Sequence, residues 1–322
     1  MTTPAGRGRW WRRRRRLLLA ASLLLAALAV SSPWWLAAWT RAGHRRTLAA
    51  AESRFGPLTA ARFAATVAER DPLWDGGEAG LLARLDRPSA PRPNFGHVVV
   101  DPATGRLDLD LESLTDVRRL HRSLAAGAQA DLTAGRHAET VTAAHRLGWL
   151  AAWAAAEPTL YAHLVGLAVE RDQLRLIGEL AAADPGLAGG LRDALVDNDL
   201  RERLHTAAAF ELVAVEAHAT SDYVAHRLAY RGHDGAVEAA VDRLFIPFAA
   251  ALAHRSRSEN LRHWCALADA FEATGGFPAA GDPSLRHPRR DSLRLTPNLL
   301  EAVDRYRGIA DRRRQIAVAL AG

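Results

Sequence analysis

The sequence predicts an all-α fold, in which one N-terminal transmembrane helix precedes an antiparallel helical stack with at most one small β-hairpin. Two observations lead to this fold class. Residues 17–40 form a run of 24 residues without a charged side chain, and a helix of about 20 apolar residues is long enough to cross a bilayer. From residue 112 onward, apolar residues recur every three or four positions, which is the spacing of one helix face.

Tryptophan and arginine flank the uncharged run as they flank many single-pass anchors. Indole rings prefer the level of the lipid headgroups, and five tryptophans lie next to this run: Trp10, Trp11, Trp34, Trp35 and Trp39. Seven arginines lie within residues 1–16, whereas three follow closely after residue 40. By the positive-inside rule, residues 1–16 are then a cytoplasmic tail, and residues 17–40 anchor the chain in the lipid bilayer of the inner (cytoplasmic) membrane of a bacterium. The main domain is extracytoplasmic.

A cleaved signal peptide is the competing interpretation of the same segment. The basic start, the apolar run and the small residues Ala27 and Ala29 on either side of a leucine are typical of a signal peptide and its cleavage site. Cleavage would release a soluble periplasmic protein. Apolar residues and tryptophans continue beyond this position through Trp39, which favours an uncleaved signal-anchor.

Charge is distributed unevenly along the chain. The formal net charge is +6, from 42 basic and 36 acidic residues, but the excess belongs to residues 1–16. The remaining chain has 35 basic against 36 acidic side chains and is nearly neutral. The sequence therefore predicts no basic surface for nucleic acid and no nucleic-acid partner.

The residue types that are missing exclude several classes of enzyme. All 42 basic residues are arginines, and without lysine the chain has no P-loop lysine and no lysine that could form a Schiff base. Cys265 is the single cysteine, which excludes internal disulfides, iron–sulfur clusters and multi-cysteine zinc sites. We therefore expect no cofactor.

Residues 41–111 are predicted to form a membrane-proximal region of short helices and one hairpin. The clearest helix of this region spans residues 58–69. Two short apolar runs, at residues 98–100 and 107–111, are separated by the turn residues Asp101, Pro102 and Gly105. This spacing predicts a small β-hairpin.

Residues 112–322 are predicted to form the helical domain. Ser113 and Asp116 fit a capping box at the start of the first helix, Gly135 ends it, and Pro158 stops the second. After the first, helices are predicted at residues 136–156, 160–177, 200–215, 237–252 (with a kink at Pro247), 256–275, and from residue 298 to near the end.

The turn around Gly135 resembles that of a tetratricopeptide helix pair, because Ala134-Gly-Arg136 ends one helix and Ala138-Glu139 opens the next. No second copy lies about 34 residues to either side, as a repeat array would require. Any αα-hairpin with a glycine turn shares the pattern. We therefore predict one tetratricopeptide-like hairpin and no array.

Several motifs together resemble a group of membrane-anchored helical proteins of unknown function from planctomycetes and similar bacteria. They are Arg54-Phe-Gly-Pro-Leu-Thr59, the Arg118-rich helix after the hairpin, the turn at Gly135, and Glu157-Pro-Thr-Leu-Tyr-Ala-His-Leu-Val165. The resemblance spans about residues 45–220. This chain departs from it where Tyr161-Ala162-His163 replaces Ile-Ser-x and where Thr140 replaces alanine. The resemblance implies an N-terminal anchor, and it carries over no activity and no catalytic residue.

The densest group of ionisable side chains lies near the end of the predicted helix at 200–215. It comprises Glu211, Glu216, His218, Asp222 and His226. If this segment folds beside the helix, these groups have the chemistry of an acid–base pair or of a divalent metal site. The alternative is a solvated helix end. The chain has no His-Glu-x-x-His and no Gly-x-Ser-x-Gly motif to support an enzyme.

Trp149, Trp153 and Tyr161 form a second group of interest. One interpretation is core packing, and the other is a groove for a partner, because aromatic residues dominate interface hot spots. The sequence thus favours a non-catalytic membrane protein whose extracytoplasmic helical domain binds or scaffolds protein partners. The runner-up is an envelope hydrolase or metal-dependent enzyme built on the cluster around Glu211 and His218.

Overall fold

A computed structural model describes residues 5–59, 77–86, 98–100, 107–109, 113–195, 199–218, 236–274, 277 and 299–321. The fold is all-α with one small hairpin, as the sequence predicts. In chain order the elements are α1 (Ala5–Phe55), α2 (Gly77–Leu85), β1 (Val98–Val100), β2 (Leu107–Leu109), α3 (Ser113–Thr133), α4 (His137–Ala154), α5 (Leu160–Ala183), a 3-10 turn (Pro185–Leu187), α6 (Ala188–Ala194), α7 (Leu200–His218), α8 (Ala236–Thr274) and α9 (Leu299–Ala319).

The β-hairpin is confirmed, with its two strands antiparallel. Val98 pairs with Leu109, and Val100 pairs with Leu107. The alternation of Leu107 and Leu109 with Asp108 is the period of two that a strand requires. The predicted helix at 58–69 lies, except for its first two residues, outside the described residues.

The first helix is longer than predicted. α1 is 51 residues long and contains the whole uncharged run, with Pro33 inside it. It also continues through residues 41–55, where separate short helices were expected. Within the part of the chain that the structure describes, no helix is long and apolar enough to cross a membrane. The transmembrane character of residues 17–40 stays a prediction.

The chain divides into two compact units. The first comprises residues 1–49 and 219–259, and the second comprises residues 50–218 and 260–322. α1 and α8 each contribute one part to the first unit and one part to the second.

The first unit carries its large apolar side chains on the outside. Eleven such side chains are exposed among the described residues, and ten of them belong to this unit. Its buried side chains are partly polar. The ring of His44 is 4% exposed, and its Nδ1 lies 3.3 Å from the Ser258 hydroxyl.

The second unit is built around α5, which packs against α3, α4, α7 and α9. Leu160, Leu174 and Ile177 lie on its buried side. At Gly166 the backbones of α4 and α5 come close, because a Cβ there would lie 2.9 Å from the Ala151 carbonyl oxygen. Glycine is therefore required at this contact.

The predicted αα-hairpin between α3 and α4 is confirmed. Gly135 has φ of +72°, a conformation that favours glycine, and the Arg136 N–H donates to the Asp131 carbonyl oxygen at 2.9 Å. α3 therefore ends in a Schellman-type turn. The neighbouring helix α4 also begins and ends close to the predicted positions. α5 begins at the predicted residue, where Thr159 accepts from the Ala162 N–H, and continues to Ala183, six residues beyond the predicted 177.

The prediction of two helices at 237–252 and 256–275 is wrong. One continuous helix, α8, spans both, and Pro247 lies inside it. Ser256, where the second helix was predicted to begin, is only 5% exposed within α8, and Leu261 and Trp264 are buried further along. Burial of this apolar face outweighs the local signal of the interior proline, because packing can override propensity.

Candidate functional site

Helices α3, α5 and α9 of the second unit surround an open pocket of about 400 Å³. We call it the arginine pocket, and it is lined by Arg118, His121, Arg122, Tyr161, Leu164, Val165, Ala168 and Arg305. Helical periodicity places these residues. Arg118, His121 and Arg122 are spaced at i, i+3 and i+4 on α3, and the α5 residues repeat that spacing from Tyr161 to Ala168. Residues so spaced share one helix face.

The pocket is positively charged. Its lining contains three arginines and no carboxylate. The Arg118 guanidinium donates to the Tyr161 hydroxyl oxygen at 3.4 Å, and Arg122 Nε donates to the Arg118 carbonyl oxygen at 3.2 Å. Both contacts are to neutral groups, so they orient the guanidinium groups without neutralising them.

His121 adds little to this charge at neutral pH. Its Nε2 lies 3.0 Å from Asp172 Oδ2. Burial lowers the pKa of His121, although the carboxylate of Asp172 acts in the opposite direction. The imidazole is therefore neutral at pH 7, and the positive charge comes from the arginines.

Two buried contacts hold α9, and with it Arg305, against α5. The Tyr306 hydroxyl oxygen lies 2.6 Å from His163 Nδ1, within hydrogen-bond distance, and both side chains are buried. Burial, together with the nearby Arg203, lowers the pKa of His163 to about 3, so this histidine is neutral. About two turns further along α5, the buried carboxylate of Glu170 accepts from Arg313 Nε.

The arginine pocket is suited to binding an anion. A guanidinium group presents paired donors that match a carboxylate or a phosphate group, and Leu164, Val165 and Ala168 supply an apolar floor. The lining holds no carboxylate or thiol to act as base or nucleophile. Among the described residues, no group of three or more His, Cys, Asp or Glu side chains is placed to hold a metal ion.

The predicted aromatic group is split between two environments. Tyr161 lines the arginine pocket. Trp153 is 4% exposed and belongs to the core, while Trp149 is half-buried on α4. Neither tryptophan lines the pocket.

The predicted acid–base cluster is described only in part. Asp222 and His226 lie outside the described residues, and His218 is the last residue of α7. Glu211 accepts from the Leu160 N–H at 3.2 Å. Burial raises its pKa to about 7. Glu216 follows five residues later, about 140° further around the helix, so the two carboxylates do not face the same side.

Of the five predicted interface tryptophans, three have described side chains. Trp34, Trp35 and Trp39 are 60%, 74% and 72% exposed on α1. Trp10 and Trp11 lie within α1.

Arg118, Arg122 and Arg305 are functional candidates that the sequence reasoning missed. The spacing of Arg118 and Arg122 on α3 is a visible signal, since these arginines lie one turn apart with a leucine, not an acid, four residues before Arg118. Arg305 gave no such signal, because α9 carries arginines on several faces.

Comparisons with known proteins give no assignment. No protein-family model matches the chain, no curated protein matches it, and no solved structure matches it.

Proposed function

We propose that this chain is a single-pass membrane protein whose extracytoplasmic helical domain binds an acidic segment of a protein partner in the arginine pocket. The observation that carries the proposal is the convergence of three arginines from α3 and α9 on a pocket whose lining has no carboxylate. The membrane anchor, at residues 17–40, would hold this binding site at the cell envelope. Kinship with the planctomycete group is part of the same proposal and rests on the motifs between residues 45 and 220.

The anchor is supported by the exposure of apolar side chains on α1. Leu18, Leu19, Leu23 and Leu24 are each more than half exposed, as are the tryptophans that follow. Such a surface is unfavourable in water and favourable in lipid, since each buried apolar residue contributes roughly 1.5–3 kcal/mol. The arginines before residue 17 support an N-terminus in the cytoplasm.

Alkaline extraction of membranes tests the anchor. We expect the full-length 34.9 kDa chain to stay in the membrane pellet. A Leu23→Arg, Leu24→Arg variant should be retained less, because two charges in the apolar run oppose insertion, whereas Arg45→Gln should behave like the wild type. Release of a shortened soluble form would establish the cleaved signal peptide instead.

An acidic peptide segment fits the arginine pocket better than a purely apolar one. Three guanidinium groups attract carboxylates, and the apolar floor on α5 can hold a neighbouring aliphatic side chain. The half-buried Tyr161 supplies the amphipathic aromatic contact that is common at interface hot spots. The arginine pocket is thus a candidate site at which the helical domain would bind a protein partner.

Site-directed photocrosslinking can identify the partner. A photoreactive amino acid at Ala168, on the pocket floor, is expected to capture a protein segment rich in Asp and Glu. The double variant Arg118→Glu, Arg122→Glu should abolish capture. For a synthetic peptide of the captured segment, it should raise the dissociation constant by at least about 30-fold, because charge-assisted hydrogen bonds are replaced by repulsion.

Arg314→Glu is the matched control, since this side chain is 78% exposed and pairs with Asp311. It should leave capture unchanged. Equal loss of capture in both variants would indicate a general charge effect and contradict specific binding in the arginine pocket. Capture that survives charge reversal, or that anionic lipid vesicles alone displace, would contradict a protein partner at this site.

A further inference from the structure

The lining of the arginine pocket includes a histidine that pairs with a carboxylate outside the lining. His121 of α3 lines the pocket, and Asp172 of α5 does not. His121 Nε2 lies 3.0 Å from Asp172 Oδ2, and the two side chains are 12% and 19% exposed. An ionised carboxylate can only accept, so Nε2 carries the hydrogen of the neutral imidazole. Nδ1 is therefore the nitrogen that takes up a proton when the ring becomes charged.

The net charge beside the pocket depends on this pair. The lining contributes three guanidinium groups, those of Arg118, Arg122 and Arg305. While the His121 ring is neutral, the carboxylate of Asp172 opposes these three positive charges, and the formal sum is +2. Once the ring is an imidazolium, it balances that carboxylate and the sum is +3. Such a change is felt by a bound anion because partly buried charges are screened less than exposed ones.

Charged groups on α3 and α5 set the pH at which His121 becomes charged. Burial lowers its pKa from the ordinary 6.5, and Arg171 of α5 and Arg122 of α3 act in the same direction, whereas Asp172 opposes them. α3 also packs against α2 and α4, but no described charged side chain of those two helices is among the groups that act on the ring. An anion between the arginines would offset their repulsion of the imidazolium. The anion and the proton thus each favour binding of the other.

We propose that protonation of His121 strengthens the binding of an acidic segment in the arginine pocket, so that the pocket holds its ligand more tightly in mild acid than at neutral pH. This inference rests on the proposed function, because it requires an anionic ligand in that pocket. A proton from solvent enters at Nδ1, the Asp172 carboxylate stabilises the imidazolium, and the negative charge of that carboxylate no longer opposes the ligand.

Calorimetric titration with the synthetic peptide acetyl-Asp-Leu-Asp-Asp-amide tests the proposal. The full chain is used in a neutral maltoside detergent, at constant ionic strength, at about pH 7.5 and about pH 5. We expect the dissociation constant to be about fivefold lower at the acidic pH. The peptide carboxylates take up protons mainly below this range, and their neutralisation weakens binding. A gain in affinity therefore cannot come from the peptide.

The His121 ring gives a second readout. Its imidazole resonance in the ¹³C–¹H spectrum, assigned with His121→Gln, is followed over the same pH range with and without saturating peptide. Because coupling between two ligands is reciprocal, the pKa of His121 should rise when the peptide is bound. A residue that only supports the fold would titrate at the same pH in both samples.

Three variants separate the roles of the pair. In His121→Gln, which has no titrating ring, the fivefold gain should disappear. Asp172→Asn should tighten peptide binding severalfold at about pH 7.5 and reduce the further gain in acid, because the opposing charge is gone. His137→Gln is the matched control, since His137 Nδ1 lies 3.3 Å from Asp184 Oδ2 and neither residue lines the pocket. It should keep the wild-type gain.

Glu211 requires its own control, because burial raises its pKa to about 7 and its carboxylate accepts from the Leu160 N–H, next to Tyr161 of the lining. The gain in acid should persist in Glu211→Gln. Equal peptide affinity at both pH values, a gain that persists in His121→Gln, or a gain that is lost in Glu211→Gln would overturn this inference and leave an anion-binding pocket in place. No peptide binding at either pH would contradict the proposed function and this inference with it.

Discussion

The arginine pocket and a second pocket of about 370 Å³ belong to the same helical unit and differ in charge. We call the second one the aromatic pocket, because Phe55, Trp264 and Phe271 are among the residues that line it. The lining of the arginine pocket has three arginines and no carboxylate, whereas that of the aromatic pocket has three carboxylates and one arginine. Both pockets draw their residues from distant parts of the chain, between residues 118 and 305 and between residues 55 and 272. The difference teaches that packing of remote helices, and not helical spacing alone, decides the charge of each pocket.

One buried carboxylate links the helices of both pockets. Glu170 on α5 is 2% exposed, accepts from Arg313 of α9, and lies 3.8 Å from Arg203 of α7. α9 carries Arg305 of the arginine pocket, and α7 carries Leu204 of the aromatic pocket. The two pockets are therefore chemically different, but each includes a residue from a helix that contacts Glu170.

Glu170→Gln should have the largest effect and shows whether the pockets share this support. Removing one partner of a buried ion pair leaves the arginines without their counter-charge, which costs on the order of 3–5 kcal/mol of unfolding free energy. The direct contact is to Arg313 on α9, which also carries Arg305. We therefore expect the acidic peptide to bind more weakly in the arginine pocket.

Urea unfolding followed by circular dichroism measures this cost, and titration with the acidic peptide measures binding in the arginine pocket. Glu179→Gln, on the same helix but exposed, is the control and should change stability by less than about 0.5 kcal/mol. A Glu170→Gln protein as stable as the control would show that the ion cluster contributes little.

Raising the pH should loosen the contact between α7 and the start of α5. Burial raises the pKa of Glu211 to about 7, against 4.5 for an ordinary glutamate, so the folded state retains a proton that the unfolded state releases. The contribution of this group to stability is then largest below pH 4.5 and falls by up to about 2–3 kcal/mol as the pH rises to 7.

The unfolding free energy of Glu211→Gln should show a smaller decrease between pH 4.5 and 7 than that of the wild type. The glutamine can still accept from the Leu160 N–H, so the fold is preserved. If the pH dependence of the variant equals that of the wild type, Glu211 titrates normally and the proposed burial effect is wrong.

A pair of glycine substitutions compares close and open positions near the arginine pocket. Gly166→Ala should destabilise the protein by about 1–3 kcal/mol, because the new Cβ meets the Ala151 carbonyl oxygen at 2.9 Å and Ala155 Cβ at 3.0 Å. Gly127→Ala should stabilise it by up to about 1 kcal/mol, since nothing lies within 4 Å and alanine is the better helix former.

Thermal unfolding of the two variants provides the measurement. If Gly166→Ala were tolerated as well as Gly127→Ala, the close approach of α4 and α5 would not be needed to position Tyr161 in the arginine pocket.

Salt should have the smallest effect of these changes. Between about 50 and 500 mM NaCl, binding of the acidic peptide should weaken severalfold, because its attraction to three guanidinium groups is screened. Parallel titrations with the peptide at several salt concentrations measure this dependence. A dissociation constant that stays the same over this range would contradict an electrostatic contribution of the arginine pocket.

The helix boundaries of the second unit were largely predictable from local signals. Gly135, Pro158 and the apolar spacing of α5 and α7 gave bounds that agree with the structure to within a few residues, because caps and periodicity act over short distances. α8 was not predictable in this way. Its interior proline and serine are local signals for a break, but burial of Leu261 and Trp264 keeps the helix continuous.

The residues of the candidate sites were likewise only partly predictable from local signals. Tyr161 was selected from the sequence for its aromatic side chain, but its partners Arg118 and Arg305 lie 43 and 144 residues away along the chain. Trp149 and Trp153 were selected with it and lie in a different environment. Aromatic content indicates candidates for an interface, but it does not say which ones reach a pocket.

By itself, the sequence determined the all-α class, the hairpin, the balanced charge after residue 16 and the absence of lysine chemistry, since these follow from composition and from periodicity over a few residues. Tertiary structure decided that three arginines converge on α5, that the Trp264 N–H is buried without a partner among the described residues, and that the pKa of Glu211 is raised. These properties depend on which remote side chains exclude water or supply charge, and that is fixed only when the helices pack.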